Sequence, residues 1–355
     1  MTTAPAPPRR DPVEARARLE AWFAKAMPAA TELVIGEPTG PAATGYSHET
    51  LLVDARWRDD GVEHAASYVV RIQPTTHTVF LEPDFAAEYR VMNLLAGTEV
   101  AVPRVLGFEA DPSHLGAPFL VMEHVAGQIP EDNPPYTFEG WLCDASPHEQ
   151  RSIWLSGVEA MASVHLADPA PFVFVRRAHL GAPGLDEQIA YWRAMLDWVG
   201  GPVPAPVAAG FAFIDARRPP QAPLALCWGD ARIANQIFRD ARCVAVLDWE
   251  MAALADPEMD LAWFCYFDRL FSEGLGMPPL RGIPPRADTI AWWEELTGRR
   301  ALHQGYYEIF AALRFAVIMM RLGQLMVLFG RIPADSDFGT NNFAIDFLAR
   351  LLDDA

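Results

Sequence analysis

Asp230, Asn235 and Asp248 stand between short apolar runs, in CWGDARIANQIF (227–238) and VAVLDWE (244–250). Two acids and an amide so placed look like ligands for something charged. An amide oxygen and a carboxylate are hard donors suited to Mg²⁺, and an acid on a loop can take the proton of a hydroxyl. The flanking segments read as the strands of a hairpin, which would bring 235 and 248 side by side. The same residues could also be turn formers, with Asp248 as a buried helix cap.

The elements that must position them follow from the patterning. Residues 1–10 are rich in Pro and Ala and are expected to be disordered. A leading helix is expected within 11–30. Strand-like runs follow at 32–38, 49–57 and 66–74, with Asp59, Asp60 and Gly61 as a hairpin turn between the last two. DFAAEYRVMNLLAG (84–97) has helical spacing, with Asp84 near its start and Gly97 at its end. Further strands are expected at 102–111 and 117–125. Residues 126–140 are full of Pro, Gly and acids and mark a boundary. Beyond it helices are expected at 147–167, 185–199, 287–296 and 302–329, with a pair of short strands around 224–248. The fold class is therefore α+β: an antiparallel β part over 1–125 carrying one main helix, then a larger, mainly helical part over 126–355.

Composition sets the outer limits. A chain of 355 residues suits two domains or lobes. A net charge of −18 argues against nucleic acid as a partner, since phosphates call for clustered Lys and Arg. Cys143, Cys227, Cys243 and Cys265 show no CxxC pairing and read as reduced thiols in a cytoplasmic protein. The first residues lack the apolar core of a signal peptide. The apolar stretch 310–330 is broken by Arg314 and Arg321, so a buried helix is expected there and no membrane span.

WGDARIAN (228–235), VAVLDWE and ADPEMDLA (255–262) together resemble the aminoglycoside phosphotransferase and choline kinase family, which has the protein-kinase-like fold. That family's pattern is H-G-D-x-x-x-x-N, then an apolar run ending in an acid followed by Trp or Phe, then G-D-P-x-x-D-L-A. Trp228 stands in place of its His and Ala255 in place of its Gly. The resemblance extends over most of the chain, close to the branch of actinobacterial phosphotransferases and of kinase-like domains fused to some acyl-CoA dehydrogenases.

The resemblance implies Asp230 as catalytic base, Asn235 and Asp248 as ligands of Mg²⁺, and ATP or GTP as phosphoryl donor. It places TGYSHET (44–50) over the phosphates, where Gly45 and Ser47 match and His48 stands where Asn is common. Lys25 is the only lysine and precedes the first strand, so Arg71 in YVVRIQP takes the place of the third-strand cation; its guanidinium suits phosphate. Glu88 is the helix acid expected to pair with it. Met122 would line the base pocket, and the backbone from Glu123 to Val125 would read the base. Asp260 is expected to tie down the catalytic-loop backbone, Asp256 to cap the following helix ahead of Pro257, and His165 to pack beneath. Acceptor-pocket candidates are Trp292, Trp293, Tyr306, Tyr307, Arg314 and Arg321. The expected function is transfer of a γ-phosphoryl group to a hydroxylated small molecule. The alternative is an impaired, nucleotide-binding pseudokinase or scaffold. A protein kinase is excluded by the short path from Asp248 to Asp260.

Overall fold

The computed structural model describes residues 11–40 and 48–355, which form two compact units. The first comprises the described residues up to Asn93 together with Pro103–Val125 and Leu325–Ala334; the second comprises Leu94–Val102, Ala126–Gln324 and Asp335–Ala355.

Helix α1 (Pro12–Ala26) opens the first unit. Asp11 caps it, its Oδ1 accepting from Val13 N at 2.9 Å, and Pro12 follows where its missing N–H costs nothing. Strands β1 (Thr31–Ile35), β2 (Glu49–Asp59), β3 (Val62–Ile72), β4 (Val105–Glu109) and β5 (Phe119–Glu123) build one antiparallel sheet in the order β1-β2-β3-β5-β4. The β2–β3 turn places Asp60 at φ 47° and Gly61 at φ 76°, the pairing a tight hairpin requires. Alternation along β3 buries Tyr68, Val70 and Ile72 against Leu19 and Phe23 of α1. The period of two therefore turns Arg71 to the other face. Helix α2 (Phe85–Leu95) starts after Asp84, whose Oδ1 accepts from Ala87 N at 3.0 Å. The strands expected over 102–111 and 117–125 are shorter than anticipated. Pro103, Pro112 and Pro118 cannot donate to a ladder and bound them closely.

In the second unit α3 (Trp141–Asp144) leads to α4 (Pro147–Leu166), which opens with a capping box between Ser146 and Glu149. Then come α5 (Leu185–Val199), α6 (Ala205–Ala216), β6 (Ala225–Cys227), β7 (Gln236–Arg239), β8 (Arg242–Val246), β9 (Ala253–Ala255), α7 (Glu258–Arg269), α8 (Arg286–Thr297), α9 (Gln304–Leu328) and α10 (Phe343–Asp353). The expected pair of strands around 224–248 is instead two separate sheets. β7 pairs with β8 as a hairpin, while β6 pairs with the unanticipated β9. Gly229 at φ 92° and Asp248 at φ 63° break extended backbone on either side of the hairpin. By length and composition α9 could cross a membrane. Within the second unit, however, its Phe310, Leu313, Arg314 and Val317 are buried core.

Candidate active site

The turn from β6 to the hairpin carries the candidate residues Asp230 and Asn235. Gly229 cannot be replaced there without disruption: a Cβ would lie 2.0 Å from the Met251 carbonyl oxygen. Its backbone is held by Asp260, which is fully buried at the start of α7. Asp260 Oδ2 accepts from Trp228 N at 2.6 Å and Oδ1 accepts from Gly229 N at 3.0 Å. His165 Nε2 lies 3.1 Å from Asp260 Oδ2, and its Nδ1 accepts from Trp293 Nε1 at 2.9 Å. Since Nδ1 is an acceptor, Nε2 carries the proton and donates to Asp260. His165 thus supports the loop from beneath.

Three donors fix the Asp230 carboxylate. Trp263 Nε1 donates to Oδ1 at 2.8 Å; Asn235 Nδ2 and Arg232 Nε donate to Oδ2 at 2.6 and 3.1 Å. With a single donor, Oδ1 keeps a lone pair on which a hydroxyl proton could be received. Asn235 Nδ2 also donates to the Asp230 carbonyl at 3.1 Å, which settles which end of the amide is nitrogen. Asn235 Oδ1 accepts no hydrogen bond among the described residues. Leu247 N donates to Asn235 O at 2.9 Å, so the hairpin does bring Asn235 next to the turn at Asp248. An amide oxygen beside a carboxylate is a donor set that fits Mg²⁺.

Trp228 joins the two halves of this arrangement. Its indole Nε1 donates to the carbonyls of Leu247, at 2.7 Å, and Asp248, at 3.2 Å. An aromatic N–H replaces the expected imidazole and still ties the loop to the end of β8. Arg232 pairs with Asp132 as well as with Asp230. Burial disfavours its charge, but the carboxylates of Asp132, Asp230 and Asp248 outweigh that and hold it firmly protonated. Arg314 reaches in from α9 and donates from Nη2 to the Gly229 carbonyl at 2.9 Å.

In the first unit Arg71 Nη1 lies 3.2 Å from Glu88 Oε2, and its Nη2 lies 2.7 Å from His48 Nδ1. His48 Nε2 sits 3.4 Å from Glu88 Oε1. Burial, together with the neighbouring Arg71, lowers the His48 pKa to about 2. The ring is therefore neutral, accepts from Arg71 at Nδ1 and donates to Glu88 at Nε2. Glu82, the other acid near this helix, lies outside α2 with a φ of 55°. Gly45 and Ser47 fall outside the described residues. Met122 is buried on β5. Glu123 N donates to Arg104 O and His124 N to Ser67 O, each at 2.9 Å. Val125 N donates to no backbone carbonyl among the described residues.

Several expectations shift. The N-cap of α7 is Pro257 rather than Asp256, although Asp256 Oδ1 still accepts from Glu258 N at 3.0 Å. Tyr307 OH donates to Asp256 and Tyr306 OH to the Ile214 carbonyl, so both tie down structure instead of lining a pocket. Trp293 is committed to His165, and Arg321 lies over the Trp198 ring. Arg314 does line a cavity, beside Trp192 and Met251. Sequence reasoning overlooked Trp263, Arg232 and Asp132. The spacing of Trp263, three residues after Asp260 on α7, was the available signal, since both then face the loop.

The solved structures similar to this chain share its fold. A putative aminoglycoside phosphotransferase from Ralstonia eutropha aligns with a TM-score of 0.67 over 94% of this chain and 98% of its own, at 23% identity. A macrolide 2'-phosphotransferase from Brachybacterium faecium aligns at 0.53 over 95% and 98%, at 17% identity. Aminoglycoside phosphotransferase APH(4)-Ia, crystallised with AMP-PNP and hygromycin B, aligns at 0.53 over 94% and 98%, at 15% identity. The fold is accordingly the kinase-like one of these phosphotransferases. Among curated proteins, the probable acyl-CoA dehydrogenase IBR3 of Arabidopsis thaliana is 25% identical over 264 residues, 66% of this chain. Human acyl-CoA dehydrogenase family member 11 is 28% identical over 204 residues, 57% of this chain. The chain spans only 29% and 25% of the length of those two relatives. The family model described as "Phosphotransferase enzyme family" matches residues 41–303, well over half of the sequence, and the chain belongs to that family.

Proposed function

We propose that the chain moves the γ-phosphoryl group of ATP or GTP to a hydroxyl of a small molecule, with Mg²⁺ as cofactor. The observation that carries this is the Asp230 carboxylate, fixed by three donors with a lone pair on Oδ1 to spare, beside an Asn235 oxygen that accepts no hydrogen bond among the described residues. Asp230 accepts the acceptor's hydroxyl proton as the new O–Pγ bond forms and the bond from Pγ to the β,γ-bridging oxygen breaks. Asn235 and Asp248 would hold the metal, whose charge offsets that of the phosphates. Arg71, braced by Glu88 and neutral His48, contributes a guanidinium for the phosphates. Met122 and the Glu123–Val125 backbone are assigned to the base, and Gly45 and Ser47 to the loop above the phosphates.

A cytoplasmic setting belongs to the same reading, since all four cysteines are unbonded. The alternative of an impaired nucleotide-binding protein draws no support from Trp228, whose indole makes backbone bonds of its own. Replacing Asp230 with Asn tests the proposal. Turnover should fall by about 10²–10⁴, while nucleotide binding measured by calorimetry stays near the wild-type value. Undiminished phosphoryl transfer would remove Asp230 from the role of base.

A further inference from the structure

Arg232 stands between two carboxylates from distant parts of the second unit. Its Nε donates to Asp230 Oδ2 at 3.1 Å, and its Nη1 pairs with Asp132 Oδ2. The guanidinium also lies over the Phe267 ring, 5.1 Å from its centroid. Arg232 meets Asp230 through Nε alone, so among the described residues the one N–H on Oδ1 is that of Trp263, at 2.8 Å. An unrestrained arginine prefers to meet a carboxylate with two parallel N–H groups, one for each oxygen. The single bond seen here needs a restraint on the guanidinium.

Asp132 supplies that restraint. It lies in the segment between β5 and α3, which is fastened on either side of it. Gln128 exchanges two backbone bonds of 2.8 Å with Phe238 of β7. Tyr136 OH donates to Asp268 Oδ1 at 3.0 Å, and Thr137 Oγ1 donates to the Phe271 carbonyl at 2.6 Å. An aspartate in a loop commonly accepts from backbone N–H groups close to it in sequence. Asp132 accepts from none: among the described residues its Oδ2 takes the Arg232 bond alone and its Oδ1 has no partner. The carboxylate therefore does not cap its own loop. It is a counter-charge for Arg232, carried on a segment tied down at both ends.

We propose that Asp132 is a positioning residue, holding Arg232 back so that Asp230 Oδ1 keeps the lone pair that receives the acceptor's proton. The inference rests on the phosphotransferase reading for its use and on these contacts for its geometry. Without the Asp132 charge, the guanidinium turns onto Asp230 as a two-bonded fork. Oδ1 then gains a second donor, and its bond from Trp263 weakens.

The indole N–H of Trp263 reports on Oδ1 and needs neither nucleotide nor acceptor. The experiment is a proton–nitrogen correlation spectrum of the full chain, with the Trp263 signal assigned by its loss in Trp263→Phe. Asp132→Asn, which keeps the shape and removes the charge, should move that signal upfield while the other indole signals show the chain folded. Asp132→Glu, which restores a carboxylate, should bring it most of the way back. In an Arg232→Gln background Asp132→Asn should leave the signal in place, since the effect passes through Arg232. A signal indifferent to Asp132→Asn overturns the proposal. So does one that moves as far in the Arg232→Gln background, which would make Asp132 a support of its loop alone. Calorimetry of Mg·ATP with the unaltered chain keeps the two readings apart. Absence of binding would sink the phosphotransferase reading, while the spectra still decide the placing of Arg232 by Asp132.

Discussion

Trp228 departs from the family pattern and makes backbone bonds of its own. Its amide is held by Asp260 and its indole N–H by the carbonyls of Leu247 and Asp248. Trp228→Phe would keep an aromatic ring, though a smaller one, and leave those carbonyls without their donor. A loss of about 1–3 kcal/mol in urea unfolding is expected, with lowered kcat as the turn at Asp248 loosens. An unchanged kcat would show that the indole bond does not position Asp248. His48 gives a second prediction with a definite sign. The unfolded chain protonates a histidine below about pH 6.5, whereas burial and Arg71 hold folded His48 neutral down to about 2. Between those values the unfolded state binds more protons, so stability falls as the pH falls. At about pH 5 this single group should cost about 2 kcal/mol, and His48→Asn should remove that part of the acid sensitivity. A pH profile of unfolding identical for the two proteins would refute the neutral-histidine assignment.

At the scale of elements, the turn between β6 and β7 is as demanding as any residue on it. Gly229→Ala must push against the Met251 carbonyl while adopting a φ of 92°. A destabilisation on the order of 3 kcal/mol is expected, with loss of turnover exceeding any loss of nucleotide binding. A fully active Gly229→Ala protein would mean that the loop conformation differs during catalysis. The sequence placed these candidates together because Asp230, Asn235 and Asp248 sit within one hairpin and its flanks. It did not mark β9, a strand of three residues, or α6, whose APVAAGFAFIDA is apolar on nearly every side and so has no periodicity to read. It also left α10 unread, although Asn342 caps it with bonds to Ala344 N and Ile345 N. Nor could it pair Asp132 with Arg232, 100 residues further on. Such a pair exists only once the packing is known, and nothing in local spacing foretells it.

For the molecule as a whole, bound nucleotide should register as stability. Mg·ATP or Mg·GTP at about a hundred times its dissociation constant should stabilise the native state by about 2.7 kcal/mol, read as a rise in unfolding temperature. The rise should vanish when EDTA removes the metal; an equal shift without metal would argue against Asn235 and Asp248 as ligands. The net charge of −18 was legible from composition, but as a whole-surface average it does not select an acceptor. Locally the balance can differ, as where Arg177 and Arg314 share a small cavity with Glu250. Only local charge, screened within a Debye length, bears on what binds there. The arginine on β3 has one more implication, for anyone who would detect this chain among others. With its only lysine, Lys25, exposed in the last turn of α1, the described part of the proposed nucleotide site offers no amine to acylate. Nucleotide probes that tag a lysine beside the phosphates should pass this chain by, and an amine-reactive dye should mark it at Lys25 and the chain's own α-amine.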